Sequence, residues 1–260
     1  MTPEEALLEI GGLVDGAEIM HQLAGGPASD SYLIQRDEDR WVLRLDKPLA
    51  ARLGLDRAAE AFALAHVYRD DASLDNIGPR LEYVDAERGI QLTRYLSGRA
   101  WTSSDLHDEN NLVRVGRLLR SLHALDAPAR PLNLRDQAGL YAGVVGTAEA
   151  ASHVAEINAR LERLPPAETC LCHNDLVAQN IIDGDRLYLI DWEYAALGDP
   201  FFDLAVIVQH HELAEEAARV LLVAYTGREA DDDLRRLAVW CEIYEHLASL
   251  WQSVVDSAGC

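Results

Sequence analysis

The run Cys172-His173-Asn174-Asp175-Leu176-Val177-Ala178-Gln179-Asn180 carries polar side chains at the spacing H-x-D-x-x-x-x-N, and Leu189-Ile190-Asp191-Trp192-Glu193 follows shortly after it. These residue types suit phosphoryl transfer, where positioning and charge neutralisation do most of the catalysis. Asn180 and Asp191 offer oxygen ligands of the kind magnesium prefers, with its other positions left to substrate phosphates. Asp175 is then free to accept a proton from a substrate hydroxyl, or simply to orient it. His173 reads as support for the loop through a backbone hydrogen bond rather than as an acid or base. The bland alternative is a polar loop beside an ordinary hairpin, because Asn and Asp favour turns for local reasons.

A hairpin must bring these groups together. Ile181-Ile182 and Arg186–Ile190 are short β-prone runs, and Asp183-Gly184-Asp185 between them is a turn signal in which Gly accepts positive φ. Folding back returns Asp191 to Asn180. Upstream, residues 4–10 read as a helix, and His21–Leu23, Ser31–Gln35, Trp41–Leu45, Leu81–Val84 and Ile90–Arg94 as strands. A helix is expected over 56–69, with Ala59, Phe62, Ala63 and Val67 on its apolar side. After Ser97 the chain reads as mainly helical: one long helix over 104–125, then helices near 148–163, 201–212, 213–225 and 231–255. The fold class is therefore α+β: a small antiparallel sheet with one main helix over residues 1–96, and a mainly α-helical unit over 97–260. Tyr95-Leu96-Ser97-Gly98 is the expected hinge, and a ligand is expected between the lobes.

On the nucleotide side, Gly25-Gly26-Pro27-Ala28-Ser29-Asp30-Ser31 could cover phosphates, with Ser29 and Ser31 as donors, although Gly-Gly-Pro is also a plain turn. Arg44 on the third strand could clamp phosphates with Glu60 of the next helix as its partner; otherwise it is an edge-strand Arg reaching for solvent. Thr93, Tyr95 and Leu96 would offer backbone groups to a base. Trp240, Tyr244 and Trp251 recur at near-helical spacing, which fits either core packing or a cage for a cationic ligand.

Composition sets the bounds. The 260 residues are 49% hydrophobic and carry a formal charge of −21. That charge excludes a nucleic-acid partner, which needs a basic surface, and is compatible with a cationic substrate or with plain solubility. No apolar run approaches the ~20 residues of a membrane span. The acidic start lacks the marks of a secretory signal, and Cys170, Cys172, Cys241 and Cys260 have no recognisable metal-ligand spacing, so a reduced cytoplasmic setting is expected.

These residues together resemble the choline/ethanolamine kinase family, within the aminoglycoside phosphotransferase-like superfamily and near the bacterial thiamine kinases. The resemblance rests on Cys172–Asn180, on Leu189–Ala195, on Gly198-Asp199-Pro200 through Asp203-Leu204-Ala205, and on Val42-Leu43-Arg44. It implies a two-lobed protein-kinase-like fold and ATP and Mg2+ as cofactors. Asp175 would be the base, Asn180 and Asp191 the metal ligands, and Glu193 would lie near the acceptor or a second metal. Asp203 would brace the catalytic loop; read from the residues alone, it is a carboxylate at a helix start aimed at backbone N–H groups. The first loop departs from the family's usual Gly-Gly-Leu/Ile-Thr-Asn. The implied substrate is a cationic alcohol of the choline, ethanolamine or thiamine type. The alternatives are an antibiotic or sugar acceptor, or a nucleotide-binding pseudokinase without turnover.

Overall fold

A computed structural model describes residues 1–69 and 76–259. The chain opens with α1 (Pro3–Ile10), capped by a reciprocal Thr2–Glu5 capping box. An antiparallel sheet follows: β1 (Glu18–Gln22), β2 (Ser29–Arg36), β3 (Asp39–Asp46), then, after α2 (Pro48–Arg52) and α3 (Arg57–Val67), β4 (Leu81–Asp85) and β5 (Ile90–Arg94). The strand order is β1-β2-β3-β5-β4. Side chains alternate across a strand. Trp41, Leu43 and Leu45 therefore face α1 in a small core with Ile34, Ile90 and Leu92. Arg44 points the other way, toward α3.

Helix α3 buries Glu60, Ala63, Leu64 and Val67, and leaves Phe62 exposed. The expected face is thus rotated, because the helix must present Glu60 to Arg44. Ala63, Leu64 and Val67 join the large core of the helical lobe rather than the small core under the sheet.

Beyond β6 (Arg99–Ala100) come α4 (Glu109–His123), α5 (Leu134–Val145), α6 (Ala148–Leu161) and β7 (Cys170–Cys172). Then follow β8 (Ile181–Asp183), β9 (Leu187–Leu189), β10 (Ala196–Gly198), α7 (Pro200–His210), α8 (Glu215–Thr226) and α9 (Asp231–Ser257). The single helix expected over 104–125 is broken. A 3-10 turn over Ser103–His107 ends at Asp108, which caps α4 by accepting from the Asn110 N–H. Helix α5 escapes sequence reading because Gly139 and Gly143 lower its propensity; Asn133 caps its start and Gly146, at φ 71°, its end.

The hairpin is present, for a different reason from the one expected. Gly184 does not adopt positive φ. A Cβ there would collide with the Ser97 carbonyl oxygen, and one at Gly98 would lie 2.7 Å from the Asp183 carbonyl. Glycine is needed because the hinge and the hairpin press together. Arg114 grips Asp183 with two hydrogen bonds, at 2.6 and 2.9 Å, which ties the hairpin to α4. Among the described residues no helix is long and apolar enough to cross a membrane.

Candidate active site

Asn180 lies at the end of a short 3-10 turn, and its side-chain N–H groups donate to Asp175, to the carbonyl at 2.9 Å and to Oδ2 at 3.0 Å. That fixes the amide and leaves its Oδ1 as the available ligand. The Ile190 N–H donates to the Asn180 carbonyl at 2.9 Å, which carries the β8–β9 pairing up to Asp191. Asp191 has φ 64° and Asn174 φ 65°, both left-handed. Trp192 is fully buried, donates to the Leu189 carbonyl at 2.9 Å and packs on His173.

His173 has the supporting place read from the sequence. Its Nε2 donates to the Ile190 carbonyl (2.9 Å), and its Nδ1 accepts from the Asp175 N–H (3.3 Å). These contacts fix one tautomer, and burial holds its pKa down. Asp203, fully buried in the first turn of α7, accepts from the His173 N–H (2.9 Å), the Asn174 N–H (2.6 Å) and His123 Nε2 (3.0 Å). Asp203 thus holds backbone N–H groups of the catalytic loop, while Asp199 caps α7 through the Phe201 N–H. Asp203→Asn replaces one acceptor oxygen with a donor facing donors. Steady-state kinetics should show kcat down roughly 10²-fold, as for an ångström-scale misplacement, with nucleotide affinity little changed.

Arg44 meets Glu60 through both guanidinium nitrogens, one at 2.6 Å, and reaches Asp191 at 3.4 Å. Arg57 forms the rest of the network. It holds Asp46 (2.7 and 2.8 Å), Glu60 (2.9 Å) and Glu193 (2.9 Å). Arg57 was not foreseen, yet it carries a signal. A cation in a helix's first turn opposes the macrodipole and so calls for an anionic partner. Burial works against the charge on Arg44, Arg57 and Glu60; the ion pairs outweigh it, raising both arginines and lowering Glu60. The other carboxylates are in excess. Burial, with neighbouring negative charge, pushes Asp175 up to about 7, Asp191 to about 6 and Glu193 to about 8. Such a cluster, with the free Asn180 oxygen beside it, suits a hard divalent cation.

Register sets Ser31 opposite Arg44, on the same face of the sheet. Ser29 is buried within β2, so both serines belong to the strand and not to a free loop. Asp30 turns aside to Lys47 at 2.8 Å. Thr93 lies within β5, paired on both sides, and the Tyr95 N–H is taken by the Arg40 carbonyl at 3.0 Å. Neither backbone N–H is free at the hinge as expected; Leu96 follows directly.

A small open cleft is lined by Gln137, Glu193 and Tyr194 together with Asp56 and Ala59. The expected aromatic face of α9 divides. Trp240 is corrected to a core residue, 5% exposed and packed edge-on against Phe202. Tyr244 is half-buried and hydrogen-bonded to His210 at 2.8 Å. Trp251 donates to Tyr194 Oη at 2.9 Å, while Tyr141 of α5 is fully buried. Tyr141 was missed because α5 was. His211 was missed too: its Nε2 accepts from the Ala178 N–H (3.1 Å), its Nδ1 meets Ser103 Oγ (2.9 Å), and burial lowers it to about 4.

A family model described as "Phosphotransferase enzyme family" matches residues 20–240, most of the chain. The chain belongs to this family. Protein LicA of Haemophilus influenzae is 32% identical over 219 residues, covering 78% of this chain and 62% of that protein, so the chain spans less than two thirds of this relative. Among solved structures, choline kinase LicA from Streptococcus pneumoniae shares the fold at TM-score 0.79 and 22% identity, covering 97% of this chain and 90% of that one. Aminoglycoside phosphotransferase APH(4)-Ia shares it at TM-score 0.68 and 19% identity, covering 99% and 93%. The fold of this phosphotransferase is accordingly the two-lobed α+β kinase type.

Proposed function

We propose that this phosphotransferase moves the γ-phosphate of ATP to the hydroxyl of a small cationic alcohol of the choline or ethanolamine type. The observation that carries the acceptor class is Tyr194, which lines the cleft beside Glu193 and accepts a hydrogen bond from Trp251 at 2.9 Å. Aromatic faces beside carboxylates favour a cation. The LicA name of the sequence relative and of the S. pneumoniae choline kinase points the same way.

In this reading Asp175 takes the acceptor proton, and Asn180 holds that carboxylate in place. Asn180 Oδ1 and Asp191 hold magnesium, which when bound neutralises charge on the phosphates. Arg44, aligned by Glu60, contacts the nucleotide's phosphates. Ser31 and the hinge at Leu96 border the nucleotide.

The test is ADP release across choline, ethanolamine, thiamine, an aminoglycoside and a sugar. Choline or ethanolamine should give the highest kcat/KM. Trp251→Ala should raise that acceptor's KM roughly 10-fold, a cation–π loss of 1–2 kcal/mol, and leave the ATP KM unchanged. Preference for the aminoglycoside or the sugar would overturn the acceptor class. ADP release indifferent to all five would overturn the kinase reading for these acceptors.

A further inference from the structure

We propose that Cys170, Cys172 and His123 form a binding site for a thiophilic divalent cation of the zinc and cadmium class, separate from the magnesium ligands and wired to the catalytic loop. The two cysteines flank Leu171 in β7, so strand alternation sends both thiols to one face. Their sulfurs lie 3.8 Å apart. Two thiolates bound at about 2.3 Å in a tetrahedral site stand about 3.7 Å apart, so the pair is spaced for a metal before one binds. His123 comes from the last turn of α4, and one of its ring nitrogens lies within 4.8 Å of both sulfurs. Sequence spacing hides this set, because the third ligand comes from a distant helix and Cys-x-Cys is tighter than the usual zinc gap.

The histidine is already dressed for the task. Its Nε2 faces the Asp203 carboxylate at 3.0 Å, the outer-shell partner that metal-bound imidazoles usually have. Its Nδ1 faces Tyr225 Oη at 2.9 Å and would exchange that hydroxyl for the metal. Water would complete four ligands. Each thiol releases its proton to solvent as its metal–sulfur bond forms. Cys172 is fully buried, and Cys170, half-buried, is the side open to entry. Asp203 also holds the His173 and Asn174 N–H groups. A metal that draws on His123 therefore acts on the loop that carries Asp175.

Cadmium titration of the reduced full-length chain, followed by thiolate-to-metal absorption, tests the site. The signal should saturate at one equivalent. Cys170→Ser and His123→Asn should each weaken binding at least roughly 10-fold, the latter by loss of a ligand together with its carboxylate partner. Cys241→Ser should leave binding unchanged. ATP binding with magnesium serves as the check that each variant is folded. Unchanged affinity in a folded Cys170→Ser protein, loss of the signal in Cys241→Ser, or no saturable signal in the wild type would overturn the proposal.

Discussion

Asp175→Asn should lower kcat on the order of 10³-fold, the usual scale for loss of a general base, while ATP binding with magnesium persists. Asparagine keeps an oxygen for the Asn180 amide, so the loop has no reason to move. The same change should stabilise the protein at alkaline pH. Asp175 sits at about 7 in the fold against an ordinary 3.8. Between those values the folded state holds a proton that the unfolded chain has given up. Stability therefore falls as pH rises through this window, and the whole penalty is present above about 7. Without ligands, urea denaturation should find the asparagine protein about 1–2 kcal/mol more stable than the wild type at pH 8, with little difference at pH 4. Equal activity in the two proteins would remove Asp175 from the chemistry. Equal stability at both pH values would mean that its carboxylate is well solvated.

The second large effect belongs to Arg57. Arg57→Met keeps the length and apolar stem but leaves Asp46 and Glu193 without a cation and Glu60 with Arg44 alone. Removing one partner of a buried ion pair costs about 3–5 kcal/mol, because the remaining charges stay desolvated. Denaturant unfolding should show a loss of that order at neutral pH, carried by Asp46 and Glu60, because Glu193, raised to about 8, is already largely protonated in the fold there. A loss below about 1 kcal/mol would show that water already reaches these carboxylates. Arg57→Lys should recover only part, since one ammonium cannot reproduce a fork shared among three acids.

The contrast between Arg44 and Arg57 shows what a sequence discloses about this site. Arg44 with Glu60, and Asp175 with Asn180 and Asp191, could be read because each obeys a local rule: a strand position, a following helix, a hairpin return. Arg57 pairs with Glu60 at i,i+3 on its own helix, but its reach to Asp46 and Glu193 joins distant segments that no spacing encodes. The same holds for His211, which buttresses the loop from beyond α7. Trp240 and Trp251 lie on one helix with the same apparent period, but only the fold shows Trp240 buried against Phe202 and Trp251 partly exposed and bonded to Tyr194. The missed α5 hid Tyr141 with it, because glycines at 139 and 143 weaken a helix that the fold nevertheless uses.

The left-handed backbone at Asn174 and Asp191 restricts which residues the site can employ. Outside glycine, that conformation is entered most readily by asparagine and aspartate. A glutamate at 191 would offer the same carboxylate to a metal but would carry a longer side chain on a backbone less suited to it. Backbone shape and the proposed ligand role therefore select the same short acid independently, so the alphabet open to substitution there is smaller than metal binding alone would permit.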